Sequence, residues 1–378
     1  MAVSYPHIYL HVPFCGRRCS YCDFAIAVRR TVPVDRYVEN VVREIAARAV
    51  EFSTGVRTIY LGGGTPSKLG GEGIAALLHG IREYGGVDKF STEVREVTVE
   101  ANPEDVSADV VRAWRAAGVN RVSLGVQSFD PGVLAWMHRG HSPEEAEAAV
   151  RTIREGGIDE ISLDLIFAIP DQVGASRLAA DLDRAVALEP THLSIYGLTV
   201  EPRTPLGRWT ARGAVQEAPE DRYAAEFLLA HDRLAAAGFE HYEVSSYARP
   251  GHRAVHNAAY WSGAPYLGLG PSAHGFDGRV RRWNTAAYAE WSTQVEQGID
   301  PLAGEETIGS DERLAEEVYL GLRTIDGLVI RPEDSITIGP WIDAGWGRRE
   351  GDRLVLTPDG WLRIDALAAA LTSVRSRS

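Results

Sequence analysis

The chain has little cysteine, little methionine and no long apolar stretch. Its 378 residues include only three cysteines and two methionines. An odd number of cysteines within one short segment excludes a disulfide framework, which would spread paired cysteines along the chain. No apolar run approaches the roughly 20 residues that a membrane-spanning helix needs. Residues 1–13 lack the basic and apolar regions of a signal peptide, so a cytoplasmic location is the expectation.

Basic residues are also fewer than acidic ones. The chain has 39 Lys and Arg and 52 Asp and Glu, which gives a formal net charge of −13. Surfaces that bind nucleic acid need clustered Lys and Arg to contact the phosphates. The charge therefore argues against a nucleic-acid partner. It leaves a small-molecule site open, since a basic pocket can lie inside an acidic surface.

Short apolar runs alternate with helical patterns as far as about residue 200. The predicted strands, rich in Val, Ile, Leu and Tyr, span residues 7–12, 57–61, 96–102, 120–127, 160–166 and 192–196. The predicted helices, with Ser107 and Ser142 as N-caps, span residues 35–50, 73–84, 108–117, 143–155 and 175–188. Six strand–helix repeats indicate an α/β fold with a parallel sheet, either open or curled into a partial barrel.

The rhythm changes after about residue 206, where helices and short strands follow one another less regularly. We expect three parts: a core barrel in residues 1–205, an extension in 206–305 and a winged-helix-like domain in 306–378. The last two form a smaller α+β region. The segment 354–360 resembles the wing of such a winged-helix unit.

The three cysteines, Cys15, Cys19 and Cys22, form a C-x3-C-x2-C pattern in the loop after the first predicted strand. Three close thiolates can bind three corners of an iron–sulfur cube and leave the fourth iron without a protein ligand. Zinc is the alternative metal, but its fourth ligand would have to come from a distant part of the chain. Parallel α/β folds bind ligands at the carboxyl ends of their strands, where this loop lies. The pattern favours the iron–sulfur cluster.

Glycines and polar residues stand at the ends of the following predicted strands. The second strand runs into the segment 62–66, in which glycines allow backbone groups to approach a ligand. Polar residues stand at or near the ends of the third, fourth and fifth strands: Glu100, Gln127 and Asp164. Each alone could cap a helix or pair with an Arg, but three at successive strand ends favour ligand binding.

With these motifs, the chain resembles the radical S-adenosylmethionine (SAM) superfamily, which implies a partial (β/α)6 TIM-like barrel. The resemblance also implies a [4Fe-4S] cluster on the three cysteines, whose open iron binds the amino and carboxylate groups of SAM. Tyr21 matches an aromatic residue beside the adenine, and Gly63, Gly64 and Thr65 match a segment that meets the methionine amino group. Other positions matched to SAM contacts are Tyr9, Glu100, Gln127, Arg139, Asp164, Gly197 and Leu198.

Five segments, 9–15, 62–66, 124–128, 164–166 and 266–275, resemble the group that contains oxygen-independent coproporphyrinogen III oxidases and related haem chaperones. The oxidases carry a fourth cysteine where this chain has Phe24, and an N-terminal extension where only eight residues precede Tyr9. The chaperone branch shares both departures. It also has an H-N-x-x-Y-W motif, which is matched here by His256, Tyr260 and Trp261.

A histidine can offer a neutral imidazole nitrogen to haem iron, and aromatic rings offer flat surface to a macrocycle. By pattern alone, the favoured interpretation of His256 is a structural histidine beside two core aromatics. The resemblance favours haem contacts for His256, Tyr260 and Trp261, with His274 as a second candidate ligand.

The expected function is therefore that of a haem chaperone, which carries the cluster and SAM, binds haem and delivers it to a haem-accepting protein. The alternative within the group is radical decarboxylation of coproporphyrinogen III to protoporphyrinogen IX. A third reading is a zinc-stabilised interaction protein. The resemblance also implies a reductant, flavodoxin-type or other, and suggests a homodimer and peripheral membrane association as further hypotheses.

Overall fold

The computed structural model describes residues 5–52, 55–84, 94–173 and 177–377. The strands, numbered in chain order, are β1 His7–Val12, β2 Phe14–Cys15, β3 Ala27–Val28, β4 Thr58–Gly63, β5 Glu96–Ala101, β6 Arg121–Gln127, β7 Glu160–Phe167, β8 His192–Gly197, β9 Glu240–Glu243, β10 Ser246–Ala248, β11 Tyr266–Leu269, β12 His274–Phe276, β13 Val280–Asn284, β14 Leu302–Thr307, β15 Leu328–Val329, β16 Gly347–Glu350 and β17 Arg353–Leu356.

The α-helices of the described residues are Val34–Arg48, Gly70–Tyr84, Ala108–Ala116, Pro131–Trp136, Pro143–Glu155, Leu178–Ala187, Pro205–Ala211, Glu220–Ala236, Val255–Trp261, Tyr288–Glu296, Ser310–Arg323, Ser335–Asp343, Pro358–Trp361 and Ile364–Arg375. The N-terminal part of the helix predicted at 175–188 lies outside the described residues. No helix within those ranges is long and apolar enough to cross a membrane.

The six predicted parallel strands are confirmed. β1, β4, β5, β6, β7 and β8 are neighbours in that order, and each adjacent pair is parallel. The alternation of these strands with helices confirms the α/β class and the partial barrel. No hydrogen bonds join β1 to β8 among the described residues, because β11 pairs with β1 and β10 pairs with β8.

The predicted N-caps are confirmed as well. The Ser107 hydroxyl accepts a hydrogen bond from the Val110 backbone N–H. Ser142 and Glu145 form a capping box at the start of the helix Pro143–Glu155. Such caps satisfy backbone donors that the first helical turn leaves unpaired, and each contributes about 1 kcal/mol.

Side chains of the parallel strands alternate between an apolar outer face and a polar inner face. The outer residues, such as Ile8 and Leu10 of β1, are fully buried in the main hydrophobic core. The inner residues form hydrogen bonds across the strands: His7 with Thr58, Tyr60 with Glu100, Ser123 with Asp164, and Ser162 with His192. The barrel therefore has a polar interior that opens at the carboxyl ends of its strands.

The segment 206–305 adds strands to both edges of the same sheet. The hairpin of β9 and β10 extends it antiparallel beyond β8, and β11 to β14 extend it beyond β1. The helix Val255–Trp261 is held by Glu96 of β5, whose carboxylate accepts hydrogen bonds from the Val255 and His256 backbone N–H groups. Arg121 pairs with that carboxylate at 3.0 Å, so a buried ion pair fixes the start of this helix.

The C-terminal residues form helices around a small antiparallel sheet in the order β15-β17-β16. Within this sheet, β16 and β17 form an antiparallel hairpin. Of the segment 354–360 predicted as a wing, only 354–356 belongs to the hairpin, because Thr357 caps the next helix through the Gly360 N–H. The division of the chain at 205 and 305 stays a prediction.

Candidate functional site

The three cysteines lie in the loop after β1 and line one cavity of about 530 Å³. Cys15 is buried, whereas Cys19 and Cys22 are half-buried, and all three are free thiols. The Cys15 Sγ lies 3.4 Å from the Thr65 Oγ1 at the end of β4. The short parallel pairing of β2 with β3 closes the loop on itself.

Burial disfavours the charged forms of the Cys15 and Cys22 thiols. It raises the pKa of Cys15, and it raises the pKa of Cys22 to about 11, with Cys19 and Cys15 adding to the effect. Metal binding deprotonates thiols, so an iron cluster would bind the three cysteines as thiolates and offset the negative charge that burial disfavours. The donor set thus fits an iron–sulfur cluster, for which the pattern leaves one iron free of protein.

The zinc alternative gains no support from the geometry. Within the described parts of the chain, no group of three or more His, Cys, Asp or Glu side chains is placed to hold a metal ion. A cubane differs in this respect, because it spreads its thiolates over separate iron atoms rather than gathering them on one.

The glycines after β4 are required by packing against the end of β1. Gly63 has a φ of +111°, and a Cβ there would lie 2.7 Å from the His11 ring. A Cβ on Gly64 would lie 2.8 Å from the backbone carbonyl of Pro13. The Gly64 N–H donates to the Val12 carbonyl at 2.8 Å. These glycines bring the end of β4 against the backbone that carries the cysteine loop.

Glu100, at the end of β5, projects into the cavity. Its carboxylate accepts hydrogen bonds from the Tyr60 hydroxyl at 2.7 Å and from the Gly63 N–H at 3.1 Å. Burial raises the pKa of Glu100 to about 7, and the nearby Asp164 carboxylate adds to the rise. A carboxylate in this state favours a partner that brings positive charge or hydrogen-bond donors.

Asp164, in β7, lines the same cavity. Ser123 donates to its two oxygens at 3.1 and 3.2 Å. Burial raises the pKa of Asp164 to about 6, which Ser194 and Ser123 partly oppose by hydrogen bonding. Two carboxylates of this kind can accept hydrogen bonds from an ammonium group or from sugar hydroxyls.

Gln127 ends β6 in a left-handed conformation, with a φ of +68°, at a shift in the register between β6 and β7. Such strain in a non-glycine residue is common at ligand sites. Arg139 donates to the Asn102 Oδ1 at 2.6 Å, to the Gly125 carbonyl at 2.7 Å and to the Cys19 Sγ at 3.5 Å. Its Nε is buried without a hydrogen-bond partner among the described residues. This cation suits a carboxylate-bearing ligand.

An apolar wall faces these polar groups. Tyr21 packs beside Ile166 and Leu198 in a small cluster separate from the main core. All three residues line the cavity, as does Gly197. Burial raises the pKa of the Tyr21 phenol, so its ring stays neutral. A flat apolar surface at this place fits a purine ring.

Of the three residues of the H-N-x-x-Y-W motif, His256 and Tyr260 are hydrogen-bonded to each other, whereas the Trp261 ring contacts Arg323. His256 is fully buried, with its Nδ1 2.7 Å from the Thr58 Oγ1 and its Nε2 2.9 Å from the Tyr260 hydroxyl. Burial lowers the pKa of His256 to about 3, so the imidazole is neutral. One of these two hydrogen bonds would have to break to free a ring nitrogen before His256 could bind iron, and that role stays a prediction.

Tyr260 lines a second cavity of about 320 Å³, together with Tyr9, His11 and His274. This cavity shares Gly63 and Glu100 with the cysteine cavity. Trp261 lies on the other side of the helix, where the Arg323 guanidinium stacks 4.2 Å from its ring.

Sequence reasoning missed several residues of the cysteine cavity. They share the polar inner face of the strands or the loops just after them: Asn102, Glu104, Ser123 and Tyr196. The missed signal is the period-two pattern of polar residues within strands that were read as continuous apolar runs. Lys68, which pairs with Asp105 beside the cavity, carried no comparable signal.

Comparisons with known proteins show the family of this chain. A family model described as the radical SAM superfamily matches residues 9–180. The heme chaperone HemW of Mycobacterium tuberculosis H37Rv is 38% identical over 96% of this chain and 94% of its own length. The heme chaperone HemW of Escherichia coli K12 is 40% identical over 73% of this chain and 72% of its own length.

Among solved structures, coproporphyrinogen III oxidase (HemN) from Escherichia coli superposes with a TM-score of 0.79 at 22% identity, covering 98% of this chain and 91% of that chain. At this identity the likeness shows the fold. The Mycobacterium tuberculosis relative is more similar in sequence, at 38% identity, and matches over 94% of its own length. The chain therefore belongs to the HemW family of the radical SAM superfamily.

Proposed function

We propose that this chain is a haem chaperone, which binds haem and delivers it to acceptor haemoproteins while carrying a [4Fe-4S] cluster and SAM. One observation carries the proposal: a single cavity collects the three thiols together with Glu100, Gln127, Arg139 and Asp164. The cavity lies in a chain that matches proteins named heme chaperone over most of their length.

Each side chain of the cofactor site would have its own role. Cys15, Cys19 and Cys22 would bind three irons as thiolates. When bound, the cluster supplies one-electron chemistry and an iron open to the SAM amino and carboxylate groups. Glu100 and Asp164 would accept hydrogen bonds from the ammonium and hydroxyl groups of SAM, and these bonds would relieve the burial of both carboxylates.

The remaining residues would position SAM. Arg139 would donate to the SAM carboxylate, and its donation to the Cys19 sulfur ties that ligand to the cysteine loop. Tyr21 and Leu198 would pack against the adenine. Gln127, at the end of β6, would form one hydrogen bond with SAM, as donor or acceptor. Tyr9 lines the second cavity rather than this one, so it would not contact SAM directly.

Cluster and haem loading test the proposal directly. After anaerobic reconstitution, the protein should hold iron and sulfide at about four each per chain. Titration with haemin should give a shifted Soret band. The variants Cys15→Ser, Cys19→Ser and Cys22→Ser should lose the cluster, whereas the matched control Ser310→Cys, at a helix start, should keep it. A wild-type protein that produces no Soret shift would contradict the chaperone function.

Coproporphyrinogen III decarboxylation is the second candidate, because the full barrel of the oxidase fold is present. Against it, Phe24 stands 63% exposed where the oxidases have a fourth cysteine. An anaerobic assay with dithionite, SAM and coproporphyrinogen III decides between the two. Loss of two carboxyl groups by mass would establish the enzyme. An external reductant, a homodimer and peripheral membrane association stay predictions.

A further inference from the structure

The largest of the cavities described here lies away from the cysteine loop. It has a volume of about 810 Å³ and lies between the helix Val255–Trp261, the strands β11 to β13 and the helices Ser310–Arg323 and Ile364–Arg375. Small-molecule sites usually have volumes of about 300–1,000 Å³. The cofactor contacts assigned above leave this cavity without a ligand.

Its walls suit a flat, mostly apolar ligand. Aromatic rings of Trp261, Tyr266, Phe276 and Tyr319 line it, and the opposite wall consists of small residues such as Ala369. Small residues leave room for a broad ring system, and the aromatic rings can stack on it. The Trp261 indole N–H is buried without an acceptor among the described residues, so this wall also offers an unused donor.

One phenol in this cavity lies next to a cation. Arg281 and Tyr266 both line the cavity. Burial raises the pKa of Tyr266, and the charge of the Arg281 guanidinium partly opposes this rise. Salt bridges of 3.1 Å to Glu306 and 2.9 Å to Glu316 hold Arg281 in place. The Tyr260 hydroxyl, in contrast, is occupied by the His256 Nε2.

An adjoining cavity of about 580 Å³ shares Trp261, Phe276 and Glu316 with this one. It is lined by Arg313, for whose guanidinium the described part of the chain shows no ion pair or hydrogen bond. An unpaired guanidinium at that edge can receive a carboxylate that projects from the main cavity. An amphipathic metalloporphyrin would fit this combination of features. They are a flat apolar cleft, a phenol beside a cation and a second cation at the edge.

We propose that this cavity is the haem site, with the Tyr266 oxygen as the axial ligand of ferric haem and Arg281 as the positioning cation beside it. The inference rests on the proposed chaperone function. On binding, the Tyr266 hydroxyl releases its proton to solvent, its oxygen bonds to iron, and a water molecule leaves the iron. The iron stays ferric, so no oxidant or reductant is consumed. Phenolate is an established haem ligand type.

A pair of tryptophan substitutions tests the location. Ala369 is exposed and lines the cavity, whereas Ala370 is the next residue of the same helix, equally exposed and outside the lining. Ala369→Trp should fill the cleft and weaken haemin binding by about tenfold or more. Ala370→Trp should bind like wild type. Because both positions are exposed, neither substitution should prevent folding, which circular dichroism checks.

A second pair tests the ligand. Tyr266→Phe keeps the ring but removes the oxygen, so the absorption and electron paramagnetic resonance spectra of bound ferric haem should lose their tyrosinate character. Tyr84→Phe, at an exposed helix end, makes the same chemical change elsewhere and should leave the spectra unchanged. Arg281→Lys should retain binding with a shifted spectrum, since a cation remains near the phenol.

The outcomes separate the two proposals. If wild type binds haemin but Ala369→Trp binds it equally tightly, or Tyr266→Phe shows an unchanged spectrum, this site is wrong while the chaperone function stands. Loss of binding in His274→Ala with full binding in Ala369→Trp would place haem in the second cavity and likewise overturn the site. Absence of haemin binding by wild type would overturn both.

Discussion

At the scale of single residues, the barrel interior is organised by buried ionisable groups. Glu100 and Asp164 have pKa values raised to about 7 and about 6 because burial penalises their charged forms. Their partners are hydroxyl and backbone N–H groups, together with a more distant Arg139 charge at Asp164. Buried carboxylates without a close cation favour a positively charged ligand, because that ligand stabilises their ionised forms.

Glu100 should make the stability of the cofactor-free protein depend on pH. Its pKa is raised in the folded state, so the folded protein holds this proton more tightly than the unfolded chain. Stability is therefore present in full below about pH 4.5 and is lost as the pH rises to about 7. Glu100→Gln should remove this loss and raise the free energy of unfolding at pH 8 by roughly 1–3 kcal/mol.

Urea denaturation of wild type and Glu100→Gln at pH 5 and pH 8 measures this effect. The difference between the two proteins isolates Glu100 from other titrating groups. Equal differences at both pH values would show that Glu100 is ionised normally. The same variant should bind SAM more weakly, since Gln cannot pair with an ammonium group.

At the scale of elements, the end of β4 positions the cysteine loop. Gly64→Ala would place a Cβ 2.8 Å from the Pro13 carbonyl carbon, and backbone cannot move aside as a side-chain end can. We expect the loop to shift and the cluster occupancy, measured as iron and sulfide per chain, to fall by about half or more.

Gly213→Ala is the control for that substitution. Gly213 has a φ of +71° with open space around it, so alanine there costs about 1 kcal/mol of backbone strain without touching the loop. Gly213→Ala should therefore keep full cluster loading. Equal cluster loss in both variants would mean that general destabilisation, rather than the loop contact, is responsible.

A second element depends on one ion pair. Glu96 caps the helix Val255–Trp261 and pairs with Arg121, and both side chains are about 5% exposed. Glu96→Ala should destabilise the protein by about 3–5 kcal/mol, because it leaves a buried guanidinium with fewer partners. Arg36→Ala, which breaks an exposed pair with Glu296, should cost less than about 1 kcal/mol by the same denaturation measurement.

At the scale of the whole molecule, three cavities are adjacent and share lining residues. They are the cysteine cavity, the second cavity beside Tyr9 and His274, and the cavity lined by Trp261, Tyr266, Phe276 and Tyr319, which is called the aromatic cavity. The cysteine cavity shares Gly63 and Glu100 with the second cavity, which shares Tyr260 and Tyr266 with the aromatic one. SAM and haem would thus occupy separate spaces on either side of Tyr260. They are close enough to influence one another through a few side chains.

This arrangement predicts simultaneous binding of both ligands. Calorimetric titration of SAM into cluster-loaded protein, with and without one equivalent of haemin, should give a dissociation constant that changes by less than about fivefold. Complete loss of SAM binding in the haemin-loaded protein would show that the two ligands compete for one space. Titration in the reverse order should give the same coupling, because linkage is reciprocal.

Much of the core was predictable from the sequence because it depends on local patterns. Short apolar runs predicted the six strands and helical spacing predicted the helices between them. Ser107 and Ser142 marked helix starts by a hydrogen bond that spans three residues. The cysteine spacing predicted one ligand site, since a loop of eight residues cannot carry its thiols far apart. The residues at strand ends converge because parallel strands end at the same edge of the barrel.

Only the tertiary structure decided which polar residues share a cavity and which are merely buried. His256 and Trp261 are five residues apart and lie on opposite faces of a short helix. His256 therefore faces the barrel interior, whereas Trp261 lines the aromatic cavity. The aromatic cavity unites β11 to β13 with C-terminal helices far along the chain. Long-range contacts of this kind arise from packing between elements, which no local sequence pattern encodes.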